Sequence, residues 1–184
     1  RLLKRAQSNL KNRDHRTVMI HGQFTRKDQI NSLKDLGIFP ALYPMHTFYW
    51  GDWHKEIIGD SLGNTISPTR TALNKGLKIT IHTDAPVALP NLMRMVGISV
   101  DRKSRSGQII GEKERLSPYE ALQSITSWSA YQHFEEHQKG TLEVGKLADM
   151  IILDKNPLKV SPSEIKQIKV LETIKEGVSV YNRQ

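Results

Sequence analysis

Two histidines and an aspartate follow short apolar runs in this chain: His21 comes after residues 17–20 (TVMI), His46 after residues 38–43 (IFPALY), and Asp84 after residues 78–81 (KITI). Imidazoles hold zinc or a similar divalent ion, and a nearby carboxylate can accept the proton of a water that the ion has acidified. Such an ion lowers the pKa of its water from about 15.7 toward about 7, so hydroxide becomes available at neutral pH. Taken singly, each residue also fits a plainer role, because a histidine after a strand is commonly a hydrogen-bonded turn residue. Repetition of the same placement is what favours chemistry.

The elements that must position these groups read as alternating strands and helices. Residues 78–81 alternate and are rich in β-branched side chains, and Ala85-Pro86 ends the pairing beyond His82, Thr83 and Asp84. Thr25 is expected to cap a helix with Asp28 in its first turn, Ile30, Leu33 and Leu36 on one face, and Gly37 as its stop. Residues 47–54 (TFYWGDWH) are aromatic, broken by glycine and polar at Asp52 and His54, which suits a pocket-lining loop. Ser67-Pro68 starts a further helix that Asn74-Lys75-Gly76 ends. Residues 87–116 carry little local signal. Ser117-Pro118-Tyr119-Glu120 then forms a capping box with proline at N1, with Ala121, Leu122 and Ile125 on the buried side, and a short helix is expected over residues 130–136. Residues 148–153 (ADMIIL) read as a strand, and ETI and VSVY as a hairpin about Lys175-Glu176-Gly177.

This order predicts a parallel α/β arrangement with an appended small sheet. In such folds the C-terminal ends of strands converge on one rim, which is where His21, His46 and Asp84 stand. The first residues, Leu2, Leu3, Ala6 and Leu10, have helical spacing without a cap, so the chain is expected to begin in mid-element. Its 184 residues suffice for one domain, contain no cysteine and hold no apolar run long enough for a signal peptide or membrane span. Disulfides, thiolate metal sites and a cysteine nucleophile are thereby excluded, and the compartment stays open. The formal net charge of +8 raises an anionic polymer as a partner. Its basic residues gather only at Arg1, Lys4, Arg5, Lys11, Arg13 and Arg16, and again at Arg102, Lys103 and Arg105, without a recognition motif, so a solvated face is favoured over nucleic-acid binding.

HGQ at residues 21–23, PMH at 44–46, HTDAPV at 82–87 and above all KGTLEVGKLADMIILDKNPL at 139–158 resemble the C-terminal half of an amidohydrolase-superfamily enzyme. The branch is amidohydrolase family 3, the group of the N-substituted formamide deformylases. The resemblance implies the C-terminal half of a TIM-type (β/α)8 metal-dependent hydrolase barrel over residues 1–138, and strands of a small β-sandwich domain over 139–184. It implies one or two divalent ions, zinc first. His21 matches the metal histidine after barrel strand five, His46 the one after strand six, and Asp84 the strand-eight aspartate that binds metal or serves as general base. Trp50, Trp53 and His54, with Asp52, match the aromatic stretch that lines the pocket for a small-molecule substrate. His82 is expected to sit near Asp84 in a supporting or structural role rather than as a ligand.

The sequence departs from the family at Ile20, where a glutamate is common, and at Gly22, where alanine is. The His-x-His of strand one and the bridging residue of strand four have no counterpart, so these 184 residues alone are expected to be inactive and to need the N-terminal half of the barrel or a second copy. The reaction implied is hydrolysis of a non-peptide C–N bond in an amide, formamide or cyclic amide. The alternative is a catalytically incompetent barrel remnant that serves as a structural or interaction module. Trp128, Tyr131 and Phe134 read as core or interface aromatics, and His133 and His137 as solvent-facing.

Overall fold

β-Branched and apolar residues at short intervals give three parallel strands, β1 (Val18–His21), β2 (Phe39–Leu42) and β3 (Thr80–Ile81). They lie in chain order within one sheet. The computed structural model describes residues 14–184; the expected N-terminal helix and the first basic cluster, apart from Arg16, lie outside them. β1 pairs with β2 so that His21 stands opposite Leu42, and β2 pairs with β3 so that Leu42 stands opposite Ile81. Pro40 is tolerated in this central strand for a local reason. The Phe39 amide donates to Thr17 on the β1 side, so position 40 faces β3, where pairing begins only at Ala41.

Between β1 and β2 lies α1 (Lys27–Asp35), with Ile30 and Leu33 buried. Its cap is Arg26 and not the expected Thr25, whose hydroxyl instead donates to the Gly22 carbonyl and so closes the turn after β1. Gly37, at φ 62°, ends the helix as expected. α2 (Met45–Gly63) follows β2, and α3 (Thr69–Asn74) precedes β3.

The principal helix of the core is α4 (Leu92–Asp101), which lies in the stretch without clear sequence signal. Asn91 caps it by accepting from the Arg94 amide, and every residue from Met95 to Asp101 is buried. Met93, Val96 and Val100 face one apolar cluster, with Ile30, Leu42, Ala72 and Ile79. Met95 and Ile98 face a second, with Tyr43, Met45, Ile81 and Ala88, directly beneath the strand ends. At its C-terminus Arg102 takes a left-handed conformation (φ 55°) and is wholly buried. Its guanidinium donates to the carbonyls of Ile66, Ser67 and Ile110. Burial pushes its pKa down to about 10. Arg102 therefore belongs to the core and not to a basic patch.

Ser117 and Glu120 form the expected capping box at α5 (Pro118–Gln123). The next helix, α6 (Ser127–Gln132), starts and ends earlier than expected. Trp128 packs against the first cluster, whereas Phe134 is exposed beside the Arg16 guanidinium. Arg16 also lies over Tyr131 and makes a bidentate pair with Glu136, so this cation, too, is engaged internally. His133 and His137 face solvent.

β4 (Met150–Leu153), β5 (Val170–Lys175) and β6 (Val178–Asn182) form the small antiparallel sheet. Glu176 and Gly177, both at positive φ, make the hairpin turn. The connection between β4 and β5 does not stay with this sheet. It carries α7 (Pro162–Ile165), whose Ile165 joins Ile168 in the core beneath α4. The approach is close at Gly97, where an added Cβ would stand 2.7 Å from the Lys166 amide nitrogen and 2.9 Å from its Cβ. Gly97→Ala is expected to lower the stability of the intact polypeptide by about 1–3 kcal/mol through overpacking, read by chemical denaturation.

Candidate metal centre

The register brings the ends of three strands to one edge, where two of the residues take left-handed backbone. His21, the last residue of β1, sits at φ 72°, and Asp84 at φ 52°. Left-handed backbone is uncommon for residues other than glycine and concentrates where function demands a particular orientation. His21 Nε2 stands 3.3 Å from Asp84 Oδ2. The His82 ring centroid is 4.9 Å from that of His21. One ligand atom from each of His21, His82 and Asp84 can be chosen so that all lie within 4.8 Å of one another.

His46 stands beside this group and not within it. It is the second residue of α2, nearly buried, with its ring 6.0 Å from that of His21 and Nδ1 3.4 Å from Ser67 Oγ. The Ser67 hydroxyl donates onward to the Tyr43 carbonyl. Burial, followed by the neighbouring His21, His54 and His82, lowers the His46 pKa to about 4. The ring is therefore neutral at pH 7 and keeps a nitrogen lone pair.

Residues 47–54 are not the expected loop but the first half of α2. Pro44 already has helical dihedrals (φ −62°, ψ −18°), so the helix starts at once. Gly51 is a contact point, not a break: a Cβ there would lie 2.8 Å from Ile110 Cγ1. The non-helical residue is Gly59, at φ 80°. Trp50 lies along the helix face near the histidines, 6.1 Å from the His46 ring and 6.4 Å from the Tyr43 ring, and is 37% exposed. His54 lies one turn further, within reach of the Gln23 amide at 3.2 Å and edge-on to Phe24. Burial lowers its pKa. Trp53 lies tilted beside His54, ring centroids 5.1 Å apart, and is 57% exposed, at the outer margin. Asp52 is engaged elsewhere, accepting from the hydroxyls of Ser104 and Ser106 at 2.6 and 2.9 Å.

Tyr43 is the residue that sequence reasoning passed over. It is 1% exposed and packs against the rings of His21, His46 and His82, and burial, with Asp84 nearby, pushes its pKa up to about 12. Its position one residue past β2, on the same strand-end level as His21 and His82, is the signal that could have marked it. Among the described residues, the buried side-chain polar atoms without a hydrogen-bond partner are His21 Nδ1, Tyr43 Oη and His82 Nε2. All three belong to this one cluster. Buried polar atoms left unpaired call for a ligand or ion, and imidazole nitrogens beside a carboxylate fit a divalent metal.

A parallel β/α unit that gathers imidazoles and a carboxylate at its strand ends has the architecture of a metal-dependent hydrolase. The amidohydrolase family model matches residues 2–181, and the chain belongs to that family. It is 26% identical over 164 residues to the N-substituted formamide deformylase of Arthrobacter pascens, a match that covers 89% of this chain and 30% of that protein. It is 28% identical over 151 residues to a 5-methylthioadenosine/S-adenosylhomocysteine deaminase of Caldanaerobacter subterraneus, with 74% and 34% covered. Among solved structures it resembles an uncharacterized metal-dependent hydrolase from Pyrococcus furiosus, at TM-score 0.65 and 25% identity, with 85% and 32% covered. The fold is also that of a zinc-bound adenosine deaminase from Xanthomonas campestris, at TM-score 0.67 and 16% identity, with 97% and 40% covered. The chain thus spans about a third of the length of the relatives it matches.

Because the folded His46 pKa lies below the unfolded value, the native state binds fewer protons than the unfolded state between pH 6.5 and 4. Its contribution to stability is present above pH 6.5 and lost as pH falls toward 4. The metal-free protein should therefore lose stability across that window, and His46→Gln should flatten the loss, read by denaturant midpoints at several pH values.

Proposed function

We propose that the complete polypeptide hydrolyses a non-peptide C–N bond of a small molecule, in an amide, formamide or cyclic amide, with a divalent metal that is zinc in its native form. The observation that carries the reading is the 3.3 Å approach of His21 Nε2 to Asp84 Oδ2 at an edge where buried imidazole nitrogens have no partner. Family membership supports a divalent metal, and a deformylase and a deaminase among the relatives support C–N chemistry.

His21 and Asp84 would hold the ion, joined by His46, which stands beside them at the start of α2, and the ion, when bound, supplies a water acidic enough to attack at neutral pH. Asp84 would take the proton from the attacking water and return it to the departing nitrogen, so that an amine and not an amide anion leaves. His46, neutral at pH 7, keeps its lone pair for ligation. Trp50, Trp53 and His54 line the approach along one face of α2, with Trp50 nearest the histidines. Of the described residues, those up to 138 would form part of the barrel and 139–184 part of the small β domain, with α7 docked back on α4. β1 and β3, the edges of the parallel sheet, pair with strands from the remainder of the polypeptide or from a second copy. A purely structural role would leave the unpartnered nitrogens without explanation. No helix among the described residues is long and apolar enough to cross a membrane.

The test is turnover of a panel of N-substituted formamides, cyclic amides and simple amides by the intact polypeptide. Activity that a chelator abolishes and zinc restores is expected, with Asp84→Asn lowering kcat by about 10²–10⁴-fold. Absence of both bound metal and turnover would contradict the reading.

A further inference from the structure

His82 was expected near Asp84 in a supporting or structural role. It does stand near Asp84, in an arrangement that suits more than support. Its ring faces His21, and one of its ligand atoms falls in the same group, within 4.8 Å, as ligand atoms of His21 and Asp84. A residue that supports a ligand makes a hydrogen bond to it or to the backbone. His82 Nε2 makes none: it is buried and unpartnered, with the Tyr43 ring stacked at 5.3 Å closing one side. The chain itself sets this orientation. The His82 amide donates to the Leu42 carbonyl, which fixes the residue at the strand end, and the left-handed turn at Asp84 brings the carboxylate back toward the same edge.

Ligand atoms around one tetrahedral zinc, each about 2.0–2.1 Å from the metal, are about 3.3 Å apart. His21 Nε2 and Asp84 Oδ2 already have that separation. His82 is the histidine that completes a group with them among the described residues. We propose that His82 is a metal ligand in its own right, binding the divalent ion through Nε2 together with His21 and Asp84. The assignment rests on the metal-dependent reading above and adds a third residue to the compact group.

The test is titration of the metal-free intact polypeptide with Co²⁺, read both as affinity and as the visible absorption spectrum of the bound ion, which reports ligand number and type. His82→Ala should weaken binding by at least about 100-fold and shift the spectrum, because a ligand and not merely its support is lost. Should His82→Ala fail to fold, His82→Asn gives the same comparison, since it keeps a planar polar group but has no atom at the Nε2 position. A change in affinity under about threefold with an unaltered spectrum would overturn the assignment and leave the metal centre standing. Failure of the unsubstituted protein to bind Co²⁺ would overturn the metal reading as well.

Discussion

The parallel register that sets His21 opposite Leu42, and Leu42 opposite Ile81, determines where the reactive side chains of this chain come together. Each strand ends at the same level, so the residues just beyond, Tyr43 to His46 on one strand and His82 to Asp84 on the next, share an edge with His21. A shift of one residue in a strand would turn its side chains to the opposite face. The left-handed dihedrals at His21 and Asp84 then complete the convergence. Such backbone persists only where surrounding structure holds it, and here the second apolar cluster lies directly below.

That cluster exists because α4 is buried on more than one face. Met93, Val96 and Val100 serve the core under the sheet, while Met95 and Ile98 serve the floor of the site. Arg102 fixes the end of the helix by satisfying carbonyls at Ile66, Ser67 and Ile110 that would otherwise be buried without partners. Ser67 links this support to the site, since its hydroxyl lies between the Tyr43 carbonyl and His46 Nδ1. Packing in the core and placement of the histidines are thus parts of one construction.

The same features explain what the sequence disclosed. The strand ending in His21, the short strand just before His82, the capping box at Ser117, and the hairpin at Glu176-Gly177 are local signals, and the structure contains each of them. α4 was passed over because LMRMVGISVD is short and largely apolar, with Arg94 and Asp101 its sole charges, a run that pattern alone does not separate from a buried strand. The first half of α2 was misread for the opposite reason: Gly51 looked like a break, although His46, Trp50, Trp53 and His54 recur at helical spacing. The distinction between His46 and His82 was beyond reach, because it depends on the angle at which α2 leaves β2. Arg102 looked like a surface cation because the carbonyls that surround it come from residues distant in sequence.

Crystals of the intact polypeptide grown with zinc, and measured for anomalous scattering at the zinc edge, test the central claim most directly. The account predicts a peak at the ends of β1 and β3, about 2.0–2.2 Å from a His21 nitrogen and an Asp84 oxygen. A zinc-saturated crystal without a peak there, in which His21 and Asp84 bond only to each other, would contradict it.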